Sequence, residues 1–455
     1  MSLRRRNGPD SPRSPGLAAG RRTLVLVVAV AVVGAPAGVL RAFCAGHSCD
    51  EPANASSEVP FCSLPDAVRA RVAAGFREGR SPDVLAAASG RIAAGEGWPK
   101  VPWPSAADGS EATRVPLAFW GTGVDPGAEI PAGTGLDDVA PTIESILGFD
   151  RPFPQVRSGT AIEGVATGEA PRLVVEFVWI GRGSEDLEAV SRPGYRYLDL
   201  AMESGTATFD ADTVSLPVDP AAVLTTIGTG GRPAQHGVTG EILRDEDGRL
   251  RKAWSARSPL SVIATLGDDL DEAMDQDPVI GIAAARRAYL GAIGGNWHVD
   301  VDRDVFLKTQ RGNEPHDGLA LMQGRFGRDD VPDLAVIAIE SGIERLDATV
   351  RSVALEAKRV SDGSAAFVFT ATGSTGDDGA TAAESIPGMI PGDDMASLVE
   401  EVVPGGSFLD QKALAERQVS EDEVLRALAR VRAPGGEALF ADVFPAIAVA
   451  FGRYC

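Results

Sequence analysis

Hydroxyl and imidazole side chains gather in one stretch of this chain, residues 215–240. It opens as Ser215-Leu216-Pro217-Val218-Asp219-Pro220, runs through an apolar segment from Ala221 to Ile227, and continues as Thr229-Gly230-Gly231-Arg232-Pro233. His236-Gly237 follow directly. A serine or threonine hydroxyl attacks an ester only when a base or a metal lowers its pKa. Ser215 is the first choice for such a nucleophile, with Thr225 beside it and Thr213 and Thr226 as further candidates. The competing role for each is to cap a turn or a helix. His236 and Glu340 are candidate binding residues, His236 also being suited to a packed, hydrogen-bonded role.

A second cluster of ligand-type residues is His298-Val299-Asp300-Val301-Asp302-Arg303-Asp304. On a strand, residues two apart share a face, so His298, Asp300 and Asp302 form a row able to bind a hard cation such as Ca2+. The run lacks the glycine of a calcium loop and holds Arg303, which equally suits a solvated acidic edge.

Short apolar runs alternate with helical patterns in the elements that must carry these residues. Strands are expected at Arg114–Val124, Leu173–Gly181, Pro259–Thr265, Val279–Ala283, Asp333–Glu340 and Ala365–Ala371. Helices are expected from Asp66 to about Glu78, Leu136–Gly148, Ser184–Val190, Asp268–Met274, Ile343–Lys358 and, after a cap at Ser420, Glu421–Val431. Gly373–Pro391 reads as a mobile surface loop, and Phe440–Phe451 as an apolar segment that docks on the domain. This alternation predicts an α/β fold with a mainly parallel central sheet sandwiched by helices.

With 455 residues and 44% hydrophobic content, the chain can bury one large core or two modest ones. A formal net charge of −21 argues against nucleic acid as a partner. Scarce lysine beside abundant arginine, alanine and glycine reads as the coding bias of a GC-rich bacterium.

Residues 1–22 read as a disordered cytoplasmic tail, and 23–40 as an apolar run just long enough to span a bilayer. The arginines before it place the N-terminus inside and the main domain, 61–455, outside the cell membrane after a linker at 41–60. A signal peptide cleaved after Ala35-Pro36-Ala37 is the rival reading. Cys44, Cys49, Cys62 and Cys455 all follow the run, and an even number in an oxidising compartment suggests two disulfides with three possible pairings. Cys44–Cys49 with Cys62–Cys455 is the favoured pairing, since the second bridge ties the start of the domain to its last residue. Free thiols are the alternative.

The stretch from Leu224 to Gly240 resembles the signature of the alkaline-phosphatase superfamily, in its type I phosphodiesterase/nucleotide pyrophosphatase branch. Val115-Pro116-Leu117 with the later Ala140-Pro141-Thr142 resembles a second block of that superfamily, here placed ahead of the first, as in a permuted order. The resemblance implies an α/β/α sandwich and a Ser or Thr nucleophile between two metal ions, usually zinc. Its ligand positions do not carry over. Ile180-Gly181 stands where an Asp-Gly is expected, Glu340-Ser341-Gly342 has no histidine after it, Thr372-Gly373-Ser374 replaces Asp-His-Gly, and the nucleophile spacing lands on Pro220.

The expectation is therefore a membrane-anchored, metal-free pseudoenzyme that binds an unknown envelope ligand or protein, with no cofactor. The alternative is an active hydrolase of phosphate mono- or diesters, using Zn2+ or Ca2+ held by relocated ligands among Glu340, Asp186, His298 and His316.

Overall fold

Seven strands make the central sheet: β1 Arg114–Gly121, β2 Leu173–Trp179, β3 Thr206–Asp212, β4 Ile280–Ala284, β5 Val305–Lys308, β6 Asp333–Ile339 and β7 Ala365–Ala371. Their order across the sheet is β5-β4-β6-β2-β7-β1-β3. The first five in that order are mutually parallel, and β1 and β3 add an antiparallel edge. The computed structural model describes residues 61–455 apart from 95–98, 106–109, 154, 191, 256–260, 276, 295–304, 376–380, 392–393, 434 and 453–454. Residues 58–455 make one compact unit.

Every residue of β2, β6 and β7 is buried, as a sheet covered on both faces requires. Trp120, Phe177 and Phe367 stack on one face. The helix Ile343–Val360 covers that face together with Glu314–Met322, whose Gly318 leaves room for Val353 beside Ile337. Helices Val139–Leu147, Pro220–Thr229 and Leu266–Ala273 pack against one another on the opposite face.

A second, antiparallel sheet runs in the order Val399–Val403, Gly406–Leu409, Val84–Ala88, Phe440–Pro445. It has its own apolar cluster, including Leu398, Leu409, Val424 and Phe440. The earliest and latest strands of the unit are thus neighbours. Cys62 and Cys455 are disulfide-bonded, with 5.3 Å between their Cα atoms, while Cys44 and Cys49 lie outside the described residues. The bridge spans 393 residues of sequence, so cutting it frees a very long loop in the unfolded chain. Cys62→Ser, or reduction, is expected to cost about 2–5 kcal/mol, read as a lowered thermal midpoint by calorimetry with and without reductant.

Three sequence expectations need correction. Ser261–Thr265 is irregular chain and not a strand, because Ser261 bonds its own turn (Oγ to the Ile263 carbonyl, 2.5 Å) and Thr265 is the N-cap of the helix Leu266–Ala273. The segment 373–391 is not simply a surface loop: Thr381-Ala382 joins a small sheet, and Ala383, Ile386 and Ile390 are buried in the second cluster. The first helix ends at Gly75, where a Cβ would meet the Leu216 carbonyl oxygen at 2.0 Å, and the chain leaves it extended at Phe76. Among the described residues no helix is long and apolar enough to cross a membrane; the run 23–40 lies outside them.

Candidate binding site

Thr213–Asp219 passes over the C-terminal end of the sheet, pinned by Thr213 N to the Thr113 carbonyl (3.0 Å) and Leu216 N to the Arg71 carbonyl (3.0 Å). Ser215 is fully buried here, and its Oγ has no hydrogen-bond partner. Among the described residues no base lies within hydrogen-bond reach of it. The helix Pro220–Thr229 then begins with the strongest start signal in the stretch, an Asp N-cap followed by Pro at the first position. The Asp219 carboxyl accepts from Ala221 N at 2.9 Å and from the N–H groups of Ala222 and Glu241.

Thr225 lies one turn and more into that helix. Its Oγ1 donates to the Ala221 carbonyl (2.7 Å) and accepts from Trp254 Nε1 (3.2 Å), so its proton is committed within the helix and its oxygen to the tryptophan. The glycines around it serve packing: a Cβ on Gly228 would meet the Gly291 carbonyl oxygen at 2.1 Å. His236 is equally enclosed. Its Nδ1 accepts from Val238 N (3.1 Å), which puts the proton on Nε2, facing Thr226 Oγ1 at 3.1 Å. Burial, with Arg77 and Arg80 adding repulsion, pushes its pKa down to about 3. We expect its ring carbon protons to hold their neutral-form NMR shifts from pH 8 down to about pH 4; titration near 6 would contradict this placement.

The ends of β2 and β7 are closed by neutral hydrogen bonds. Beyond β2, Ile180 N donates to the Ile339 carbonyl (2.9 Å) and Gly181 N to Thr372 Oγ1 (2.8 Å). Thr372 N donates back to the Trp179 carbonyl (3.1 Å), and Thr375 Oγ1 to the Gly181 carbonyl (2.9 Å). Beyond β6 stand two carboxylates, Glu340 and the buried Glu314, whose Oε1 accepts from Glu340 N (3.3 Å) and Ser341 Oγ (2.8 Å). Glu340 accepts from the Tyr289 hydroxyl at 3.2 Å, and burial raises its pKa against the pull of Arg286. Asp186 is held by Gly183 N and Arg182 (both 2.8 Å), and His316 is exposed beside Asp317. Ser215, Thr225, His236 and Glu340 therefore do not form one constellation.

A pair of zinc ions does not fit the strand-end donors Ile180, Gly181, Ser341, Thr372 and Ser374: the carboxylates beside them are already engaged, Glu340 by Tyr289, Glu314 by Ser341, and Asp186 by Arg182 and Gly183 N. Among the described residues no three His, Cys, Asp or Glu side chains come together to hold a metal. His298, Asp300 and Asp302 lie outside them.

A cavity lies beside this closure. It has a volume of about 910 Å³ and extends from the N-terminus of the helix Pro220–Thr229 past the ends of β4 and β5 to the second sheet. Its polar wall is Asp219, Glu241, Arg286 and Tyr289. Arg286 Nη1 bonds Glu241 Oε2 at 2.7 Å. Burial, then the charge of Glu241, pushes the Asp219 pKa up to about 6, and burial raises Tyr289 well above its usual value. None of these four was singled out from sequence. The Asp219-Pro220 cap was readable there, and Arg286 directly follows an apolar strand, the usual site position in open α/β sheets.

Three comparisons bear on identity. No family model matches this chain. No curated protein matches it either. Among solved structures, murine ectonucleotide pyrophosphatase/phosphodiesterase 5, an inactive variant with AMP, aligns with a TM-score of 0.32 and 14% identity over 45% of this chain and 57% of that one. Phosphonoacetate hydrolase from Sinorhizobium meliloti, with phosphonoacetate, aligns with a TM-score of 0.28 and 13% identity over 42% of this chain and 54% of that one. Either match spans little more than half of the solved chain.

Proposed function

We propose that this chain is an alkaline-phosphatase-like domain that binds a ligand without the superfamily's two-metal chemistry, and that residues 23–40 anchor it in the cell membrane with the domain outside. The reading rests on one observation above all: where cation ligands belong, at the ends of β2 and β7, backbone and threonine groups satisfy each other. Pro220 stands at the nucleophile position. The hydroxyls nearest to it are buried without a base, as Ser215 is, or committed within the helix, as Thr225 is. A cavity at the carboxyl ends of parallel strands remains, suited to binding.

The test is zinc content together with turnover of aryl phosphates and phosphodiesters by the purified chain. The expected result is no stoichiometric zinc and no turnover above a Ser215→Ala control. Bound zinc with activity lost in that variant would establish the hydrolase instead.

A further inference from the structure

The cavity's two walls differ in kind. One is continuous apolar surface: Leu64, Val72, Leu85, Val101, Leu216 and Phe444 belong to a single buried cluster and all line it. The polar wall opposite is already satisfied within the protein. Asp219 accepts from three backbone N–H groups, Glu241 from Arg286, and Tyr289 donates a hydrogen bond to Glu340.

A helix N-terminus normally attracts phosphate. Here Asp219 sits on it, and a second anion there would be repelled. A ligand entering the chamber therefore gains by apolar contact, each methylene removed from water adding to affinity. The mouth carries the other signal. The chain has only five lysines, and two of them, Lys252 and Lys308, are exposed on the rim with Arg287, whose guanidinium lies 5.5 Å from the centre of the Phe306 ring. Arg287 and Lys308 at the ends of β4 and β5, with Lys252 from the hairpin Ile242–Lys252, stand out on a chain of net charge −21.

We propose that the chamber takes the acyl chain of a single-chain anionic amphiphile, a fatty acid or a lysophospholipid, with its head group held at the rim by Lys252, Arg287 and Lys308. This inference rests on the metal-free binding reading above. The two carboxylates at the mouth, Glu384 and Glu401, come from the other side of the cavity, on the second sheet and its neighbouring turn. They bias the head group toward the β4–β5 side.

The test uses the full chain in amphipol, photolabelled with a diazirine fatty acid of palmitoyl length, with the matching trimethylammonium amphiphile in parallel. The expected label maps to residues within 64–87, 216–221, 285–289 and 306–308 and is competed by palmitate and by lysophosphatidate, whose relative potency tells the two head groups apart. Labelling by the cationic probe should be weaker by about tenfold. Lys252→Glu with Lys308→Glu, both exposed and safe for folding, should reverse that preference; Ala285→Trp should block both probes. Label confined to residues 23–40, equal labelling by the two probes, or no effect of charge reversal would overturn the proposal. Zinc content and turnover, measured on the same preparation, report separately on the underlying reading. A zinc-free, inactive chain that takes no label defeats only the ligand class.

Discussion

Asp269→Ala is expected to cost this fold about 3–5 kcal/mol, the range seen when one member of a buried charge cluster is removed. Asp269 is fully buried and is the shared partner of two guanidiniums, Arg151 Nε at 2.7 Å and Arg157 Nη2 at 3.0 Å. Both arginine side chains are at least nine-tenths buried. Arg151 also donates to the Thr229 carbonyl (2.9 Å) in the last turn of the helix Pro220–Thr229, and Arg157 to the Ala264 carbonyl (3.3 Å) ahead of the next helix. The cluster thus ties the ends of two helices that cover the sheet.

Burial dominates its energetics. It pushes the Asp269 pKa up to about 6 despite both arginines, and that of Arg151 down to about 10 despite Asp269. The ions pay more for leaving water than they recover from one another, so replacing all three by apolar residues of similar volume would be tolerated. Removing the Asp269 carboxylate leaves two like charges in a dry site, with Glu144, 3.6 Å from Arg151 Nε, as a more distant acid beside them. The measurement is the urea midpoint of the variant against the native chain, with Arg157→Met as the milder comparison. A loss under about 1 kcal/mol, the value of an exposed pair, would show that water reaches the cluster.

That cluster also shows where sequence reading stops. Arg151, Arg157 and Asp269 are more than a hundred positions apart at the extremes, in segments with no shared pattern, and nothing in composition or spacing marks them as partners. The sheet was legible because burial on both faces writes itself as continuous apolar runs: Leu173–Trp179, Asp333–Ile339 and Ala365–Ala371 fall where expected. Helix ends with a chemical marker were legible too, as at Gly148, which takes the left-handed conformation, and at Ser420 with Glu423. Ser261–Thr265 misled because an apolar pentapeptide looks alike in a strand and in a turn tied by its own serine. The antiparallel second sheet was mostly missed, since Val84–Ala88 pairs with Phe440–Pro445 across nearly the whole unit. For the site, the uncharged strand ends at Ile180-Gly181 and Thr372-Gly373-Ser374 were readable by position. The cavity beside them was not, because its walls come from every part of the unit.

Glu176→Met is expected to stabilise the protein, by about 3–5 kcal/mol at pH 9 and by less at pH 5. Glu176 sits in the middle of β2, in register with Val336 on β6 and Val368 on β7, and its Oε1 has no partner. Burial alone pushes its pKa up to about 8, from an ordinary value of 4.5. In the unfolded chain the carboxyl loses its proton near 4.5, while the folded chain keeps it to about 8. Between those limits the native state binds the extra proton, so stability falls as pH rises, and the cost is complete once pH exceeds 8. Asp333, pushed up to about 7 by burial, and Asp219, at about 6, slope the same way over narrower windows. His236 slopes the other way: neutral in the fold above about 3 but charged in the unfolded chain up to 6.5, it makes stability rise with pH across that interval. Below 6.5 the histidine offsets one carboxyl of several, and above it the carboxyls stand alone. Urea midpoints of the native chain should therefore decline from pH 6.5 to 9, and the methionine variant should remove most of that decline. A native curve flat over this range would mean that Glu176 ionises freely, which requires water in the centre of the sheet.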